Sequence, residues 1–79
     1  MIIEPTIIKT TFDFTSHAPT GSEFTLVKDT YESNVCDCCG NRRKCDLFVH
    51  FYTNSMGYKD TVFLDLCRSC RKKQTEVTA

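Results

Sequence analysis

The sequence predicts a small β-rich (α+β) zinc-binding domain: N-terminal β-strands, then a zinc knuckle, a β-hairpin and a short C-terminal helix. Three observations lead there. The chain has 79 residues, enough for one thin hydrophobic core that needs a covalent or metal staple. Its six cysteines fall in two clusters, "NVCDCCGNRRKC" at 34–45 and "CRSC" at 67–70. The stretches before and between the clusters are rich in aromatic and β-branched residues and are separated by Gly, Pro and Asn turn signals. The expected organisation is a single domain over 1–79, with a strand pair in 1–33 and a four-cysteine finger in 34–76.

The first elements are two strands. "PTIIKTTFDFT" sets Ile8, Thr10, Phe12 and Phe14 in one register, and "SEFTLVKDT" places Phe24 and Leu26 together between Thr25 and Val27. The intervening "SHAPTGS" carries Pro19 and Gly21 and reads as a loop. The opening "MIIEPTIIKTTFDF" has no basic segment, no unbroken apolar run and no small-residue cleavage site, so no signal peptide is expected. Nor does any stretch approach the roughly 18 consecutive apolar residues of a membrane span. The expectation is an intracellular, cytoplasmic protein without membrane contact, in which thiols stay reduced.

With reduced thiols, spacing decides their use. Cys36-x2-Cys39 is separated from Cys67-x2-Cys70 by 27 residues, of which Gly40 is the first. A two-residue gap lets a tight turn aim both sulfurs at one ion, and a glycine after the second cysteine supplies the left-handed backbone of such a knuckle. Two pairs make a closed tetrahedral site for one structural Zn²⁺, with Cys36, Cys39, Cys67 and Cys70 as ligands. A thioredoxin-type dithiol would instead open a helix in a βαβ pattern, which is absent. Cys38 and Cys45 are left over. Either is close enough in sequence to replace a ligand, and the favoured reading is an exposed thiol at Cys38 and a small core residue at Cys45. A binuclear six-cysteine cluster would need a second Cys-x2-Cys-x6-Cys unit, and nothing follows Cys70 to complete one.

Between the pairs, residues 46–53 and 61–66 read as two strands around the turn "TNSMGYK". Leu47, Val49 and Phe51 share one face, and Phe48, His50 and Tyr52 share the other. Neither face is polar, so both are expected to be covered. After Cys70 no glycine follows but "RKKQTEVTA", which predicts a helix over 66–75 carrying Cys67 and Cys70 one turn apart.

Knuckle, hairpin and ligand-bearing helix, in that order, resemble a treble-clef zinc finger over residues 34–76; a zinc ribbon has the same ligands without the helix. "CDCCG" and "LDLCRSCRKKQT" are also similar to the zinc-binding ends of HNH nucleases, a resemblance that places His50 of "FVHF" where that family keeps its water-activating histidine. The chain departs from the family pattern at that histidine's neighbours, Val49 and Phe51. It departs again in "TVFLDL", which lacks the expected asparagine, and at Arg71, where a histidine is expected. A lone histidine without a catalytic divalent ion cannot run that hydrolysis, so a non-enzymatic protein is expected, with a degenerate HNH-like finger as the third reading. His50 is read as a structural residue and His17 has a weaker claim still.

Formal charge is zero but unevenly spread. Residues 1–35 carry net −3 and residues 36–79 net +3. Arg42, Arg43 and Lys44 follow the first pair, and Arg68, Arg71, Lys72 and Lys73 surround the second. Part of this cluster balances a four-thiolate zinc site, which is dianionic. The rest forms a candidate surface for a partner, either a protein or the phosphates of DNA or RNA, with Tyr52 or Tyr58 as stacking groups. The first expectation is a module that docks on and regulates a protein partner, with nucleic-acid-processing machinery as the candidate setting. Direct nucleic-acid binding through the basic patch is the alternative. No small-molecule substrate is expected of a closed zinc site.

Overall fold

Residues 7–77 are described by a computed structural model, residues 29–32 as backbone alone; the ends of the expected domain, 1–6 and 78–79, lie outside the described residues. The elements are β1 (Ile7–Lys9), β2 (Glu23–Val35), β3 (Arg42–Thr53), β4 (Lys59–Cys67), α1 (Arg68–Lys72) and β5 (Thr75–Glu76). The strands form one antiparallel sheet in the order β4-β3-β2-β1-β5. No helix among the described residues is long and apolar enough to cross a membrane.

The hairpin is the most regular part. β3 and β4 pair without interruption from Cys45↔Cys67 to Thr53↔Lys59. Asn54 closes the turn: its Oδ1 accepts from the N–H groups of Met56 and Tyr58 at 3.0 and 3.1 Å, and its own N–H donates to the Tyr58 carbonyl at 2.8 Å. Gly57, at φ +85°, adopts the left-handed backbone that a side chain would resist.

The N-terminal segment departs from its alternating pattern. β1 ends at Lys9, and residues 10–22 fold as a loop laid across the sheet. Local hydrogen bonds outcompete strand pairing there. Thr10 exchanges backbone bonds with Ser22 and Gly21, and Asp13 Oδ1 accepts from both the N–H and the hydroxyl of Thr20 at 2.6 and 2.7 Å. The loop delivers Phe12, Phe14 and Ala18 to the core. β2 is longer than expected and runs unbroken across the 33/34 junction, so the N-terminal part and the finger share one sheet. Its register against β3 slips after Leu26 and again between Asp29 and Ser33. Extra residues of this kind bend a strand and raise its twist.

The helix is also shorter than the expected 66–75. Beyond Lys72 the N–H groups of Lys73 and Gln74 close back on the carbonyls of Cys70 and Arg71. The Gln74 side chain donates to the Cys70 carbonyl at 2.7 Å and accepts from the Thr11 N–H at 2.8 Å. Residues 75–76 then join the outer edge of β1 as β5. A five-residue helix has no stability of its own. Its attachments hold it.

The core lies on one face of the sheet, where Ile8, Phe24, Phe48, Leu64 and Leu66 are fully buried. The 10–22 loop covers one end, with the Phe14 ring edge-on to Phe24. The α1 helix covers the other, with Arg71 over Phe48 at 5.3 Å. The opposite face corrects an expectation. Both faces were expected to be covered, yet Phe51 and Phe63 remain 64% and 56% exposed and Val27 54%. Among the described residues one short helix and one loop provide cover, and both lie against the same face.

Candidate metal centre

The knuckle begins where β2 stops. The Cys36 N–H donates to the Asn41 carbonyl and the Gly40 N–H to the Cys36 carbonyl, both at 2.9 Å, with Gly40 at φ +75°. That turn points the amides of residues 38 and 39 at the Cys36 sulfur. Across from it, Cys67 ends β4 and forms the N-cap of α1, while Cys70 sits one turn on. The Cys67 N–H also donates to Cys36 Sγ, at 3.4 Å. Asp37 locks the knuckle to the outer edge of β4: its N–H donates to the Asp65 carbonyl at 2.8 Å and its Oδ2 accepts from the Asp65 N–H at 2.7 Å. The sequence reading passed over Asp37; its place between two candidate ligands was the available signal.

The four sulfurs of Cys36, Cys39, Cys67 and Cys70 all lie within 4.8 Å of one another. A tetrahedral site with zinc–sulfur bonds of about 2.3 Å has sulfur–sulfur edges of about 3.8 Å, and Cys39 Sγ stands 3.9 Å from Cys67 Sγ. The donor set therefore fits a thiophilic divalent ion, with zinc foremost. Cys36, Cys67 and Cys70 are buried and Cys39 is exposed, so the centre is closed on the protein side and reaches solvent at the knuckle.

Electrostatics match a thiolate cluster. Burial pushes the Cys36 thiol up, but the backbone N–H groups of Cys67, Cys39 and Cys38 outweigh it and bring the group down to about 6. The Cys70 thiol is pushed well up, first by burial and then by hydrogen bonds with the thiols of Cys67, Cys38, Cys36 and Cys39. One thiol ionises readily under the backbone N–H groups aimed at it, and its buried neighbour keeps its proton for the surrounding sulfurs. A divalent ion removes that conflict by holding every sulfur as a thiolate, with release of protons.

The spare cysteines separate. Cys45 is fully buried, opposite Cys67 in register, with its thiol against the carbonyls of Arg43 and Asn34 at 3.3 and 3.5 Å. Burial, then the charges of Cys36, Asp65 and Cys67, raise it to about 11. Cys38 is exposed and stands outside the group of four.

The basic cluster is divided. Arg42, Arg43, Lys44, Lys72 and Lys73 are exposed, and Arg43, Lys44, Arg68 and Ser69 line a shallow cleft beside Cys67. Arg71, expected on the surface, is only 6% exposed. Its Nη1 donates to Asp46 Oδ2 at 2.7 Å, and Arg68 Nε approaches the same oxygen at 3.4 Å. Asp46 faces the core from β3 and draws Arg71 inward because a buried carboxylate needs a partner. The candidate histidines also find structural neighbours. His50 Nδ1 is 3.0 Å from the Glu23 carbonyl with its ring against Phe24, and His17 stacks on Tyr52 at 4.4 Å. Tyr52 further donates its hydroxyl to Asp60, leaving Tyr58 as the exposed tyrosine of the two.

Comparison with protein families, with curated proteins and with solved structures finds no match for this chain.

Proposed function

We propose that the protein is a non-enzymatic zinc module of treble-clef arrangement that docks on a protein partner and regulates it. The observation that carries the docking reading is the open sheet face. Phe51 and Phe63 stand exposed on adjacent strands, with Val27 across β3, on a hairpin pinned at one end by four cysteines. Aromatic side chains on a rigid support suit the buried centre of a protein interface. A four-thiolate site leaves no open coordination position for a substrate, and His50 is engaged with Glu23 and Phe24. These two facts support the non-enzymatic reading.

Direct nucleic-acid binding is the second reading, favoured by the cleft lined by Arg43, Lys44 and Arg68. It is weakened by the withdrawal of Arg71 into the core and by the attachment of Arg68 to Asp46.

Affinity capture from the native cell, with and without nuclease, separates the two. Docking predicts a stoichiometric protein that survives nuclease treatment and is lost from a folded, zinc-loaded Phe51→Ser/Phe63→Ser variant. Loss of every partner after nuclease, together with binding abolished by charge reversal at Arg42, Arg43, Lys72 and Lys73, sinks the docking reading in favour of nucleic acid. A further control covers catalysis. Metal-dependent cleavage of DNA or RNA that disappears in a folded His50→Ala variant would overturn the non-enzymatic reading.

A further inference from the structure

We propose that a second copy of the chain adds to the outer edge of β4, antiparallel and about a two-fold axis at Thr61, so that two sheets join into one. The inference goes beyond the docking reading and does not rest on it.

β4 is the outermost strand of the sheet and is paired on one side only. The direction of its backbone groups is fixed at both ends. At the turn, the Asn54 N–H donates to the Tyr58 carbonyl and the Tyr58 N–H to Asn54 Oδ1, at 2.8 and 3.1 Å, so Tyr58 turns its groups inward. At the far end, the Asp65 N–H donates to Asp37 Oδ2 at 2.7 Å and the Asp65 carbonyl accepts from the Asp37 N–H at 2.8 Å, so Asp65 turns its groups outward. The register between β3 and β4 is unbroken, and hydrogen-bonding direction alternates along an antiparallel strand. Lys59, Thr61 and Phe63 therefore point their N–H and carbonyl groups outward, as Asp65 does. Among the described residues no strand meets them. Such a row is a template for a further strand.

The row is also self-complementary. Asp37 occupies Asp65 at one end and the turn begins at the other, which leaves Lys59, Thr61 and Phe63 spaced evenly about Thr61. An antiparallel copy centred there sets Thr61 against Thr61 of the second copy and Lys59 against its Phe63, and engages the whole row. An axis moved toward Phe63 runs Lys59 into the bonds between Asp65 and Asp37, and one moved toward Lys59 leaves Phe63 facing the turn. Side chains agree with the central register. Phe63 is 56% exposed on the open face, and Lys59, exposed and four residues before it, lies on the same face. Each copy's Lys59 stem and ammonium then cover the Phe63 ring of the other. In the single chain Asp60 Oδ1 accepts from the Thr61 N–H at 2.8 Å, a bond that the Thr61 carbonyl of the second copy replaces. The pairing sets two open faces side by side on one sheet.

Sedimentation velocity of the zinc-loaded full chain tests this. A monomer–dimer equilibrium is expected, with a midpoint on the order of 100 μM because a short edge contact buries little surface. Phe63→Pro removes an outward N–H that the single chain does not use, at a place where an edge strand tolerates proline. It should weaken association by more than about tenfold, since two-fold symmetry removes the bond twice. Phe51→Ser, on the open face but away from the edge, should leave association unchanged. A chain that stays monomeric at millimolar concentration, or a dimer that survives in folded Phe63→Pro, overturns the proposal. A dimer lost in Phe51→Ser overturns it as well and assigns the contact to the open face. Should Phe63→Pro fail to fold, isotope-filtered NMR on mixed labelled and unlabelled wild-type chains decides. The α protons of Asp60 in one copy and Val62 in the other face each other across the new seam in a non-hydrogen-bonded pair, so a contact between them is expected. Its absence where the dimer is populated overturns the edge pairing.

Discussion

The two faces of the β3–β4 hairpin are similar in composition and opposite in fate. On one face Phe48, Leu64 and Leu66 are sealed beneath the 10–22 loop and α1; on the other Phe51 and Phe63 stand in solvent. Composition did not separate them, because neither set of side chains is polar. The covering pieces did. One is held by Asp13–Thr20 and by the Phe14–Phe24 contact, the other by Cys67, Cys70 and the Arg71–Asp46 pair. Which face becomes the core follows from which face the cover is tied to, and the ligand cysteines do half of that tying.

The comparison breaks most completely if the metal is removed. Structural zinc contributes on the order of 10 kcal/mol to the folding of small finger domains, about as much as the whole stability of a typical domain. Chelation under reducing conditions should therefore release α1, expose the Phe48 face and unfold the protein cooperatively, as read by circular dichroism and by loss of amide dispersion. Retention of native dispersion in metal-free protein would show that the sheet holds its own cover.

Within the holo-protein, the covered face should be sensitive to truncation. Phe48→Ala should cost about 3–5 kcal/mol in chemical denaturation, through the lost contact area and the cavity left behind.

Arg71→Ala should cost a similar amount, about 3–5 kcal/mol, because it leaves the Asp46 carboxylate buried without its closest partner. The double change Asp46→Leu/Arg71→Leu should be milder than Arg71→Ala, since it removes both charges from the interior. A double change as damaging as the single one would mean that Arg71 acts by packing on Phe48 alone.

A smaller effect is expected at alkaline pH. The Cys45 thiol titrates near 9 when unperturbed and at about 11 in the fold. The folded pKa is raised, so the stability from burying the neutral thiol is present below pH 9 and is lost as pH rises through 11. Unfolding free energy of the zinc-loaded protein should fall across that interval, and Cys45→Ala should flatten the fall. An identical slope in the variant would assign it to other groups.

The smallest stability effect belongs to the open face. Phe51→Ser and Phe63→Ser should each change unfolding free energy by no more than about 0.5 kcal/mol while removing the proposed partner contact. Destabilisation as large as that of Phe48→Ala would show that this face is covered in solution by a second copy of the chain, which sedimentation would then reveal.

Local chemistry was legible in the sequence wherever a few neighbouring residues decided it. The Cys-x2-Cys-Gly knuckle was readable because a two-residue gap and a left-handed glycine are requirements of a single turn. The hairpin was readable because its strand residues and its Asn54–Gly57 turn agree with each other. The helix was anticipated but overextended, since helical propensity in "RKKQTEV" carries no information about the β1 edge that recruits Thr75 and Glu76. The N-terminal alternation misled similarly: it was consistent with a strand through Phe14, while the Asp13–Thr20 and Thr10–Gly21 bonds that end β1 after Lys9 join residues seven and more apart.

What the sequence by itself determined is therefore the set of groups: cysteines at a metal-binding spacing, a β-rich chain with one short helix, and a basic run near the second pair. Only the tertiary structure decided how they are shared out. It brought Cys36 and Cys39 within 4.8 Å of Cys67 and Cys70, buried Arg71 against Asp46, stacked His17 on Tyr52 and left Phe51 and Phe63 without cover. The physical reason is the same each time. A carboxylate facing the core claims the cation that can reach it, and one short helix and one loop can cover only one face of a sheet. Those outcomes depend on distances between residues far apart in the chain, which no local pattern encodes.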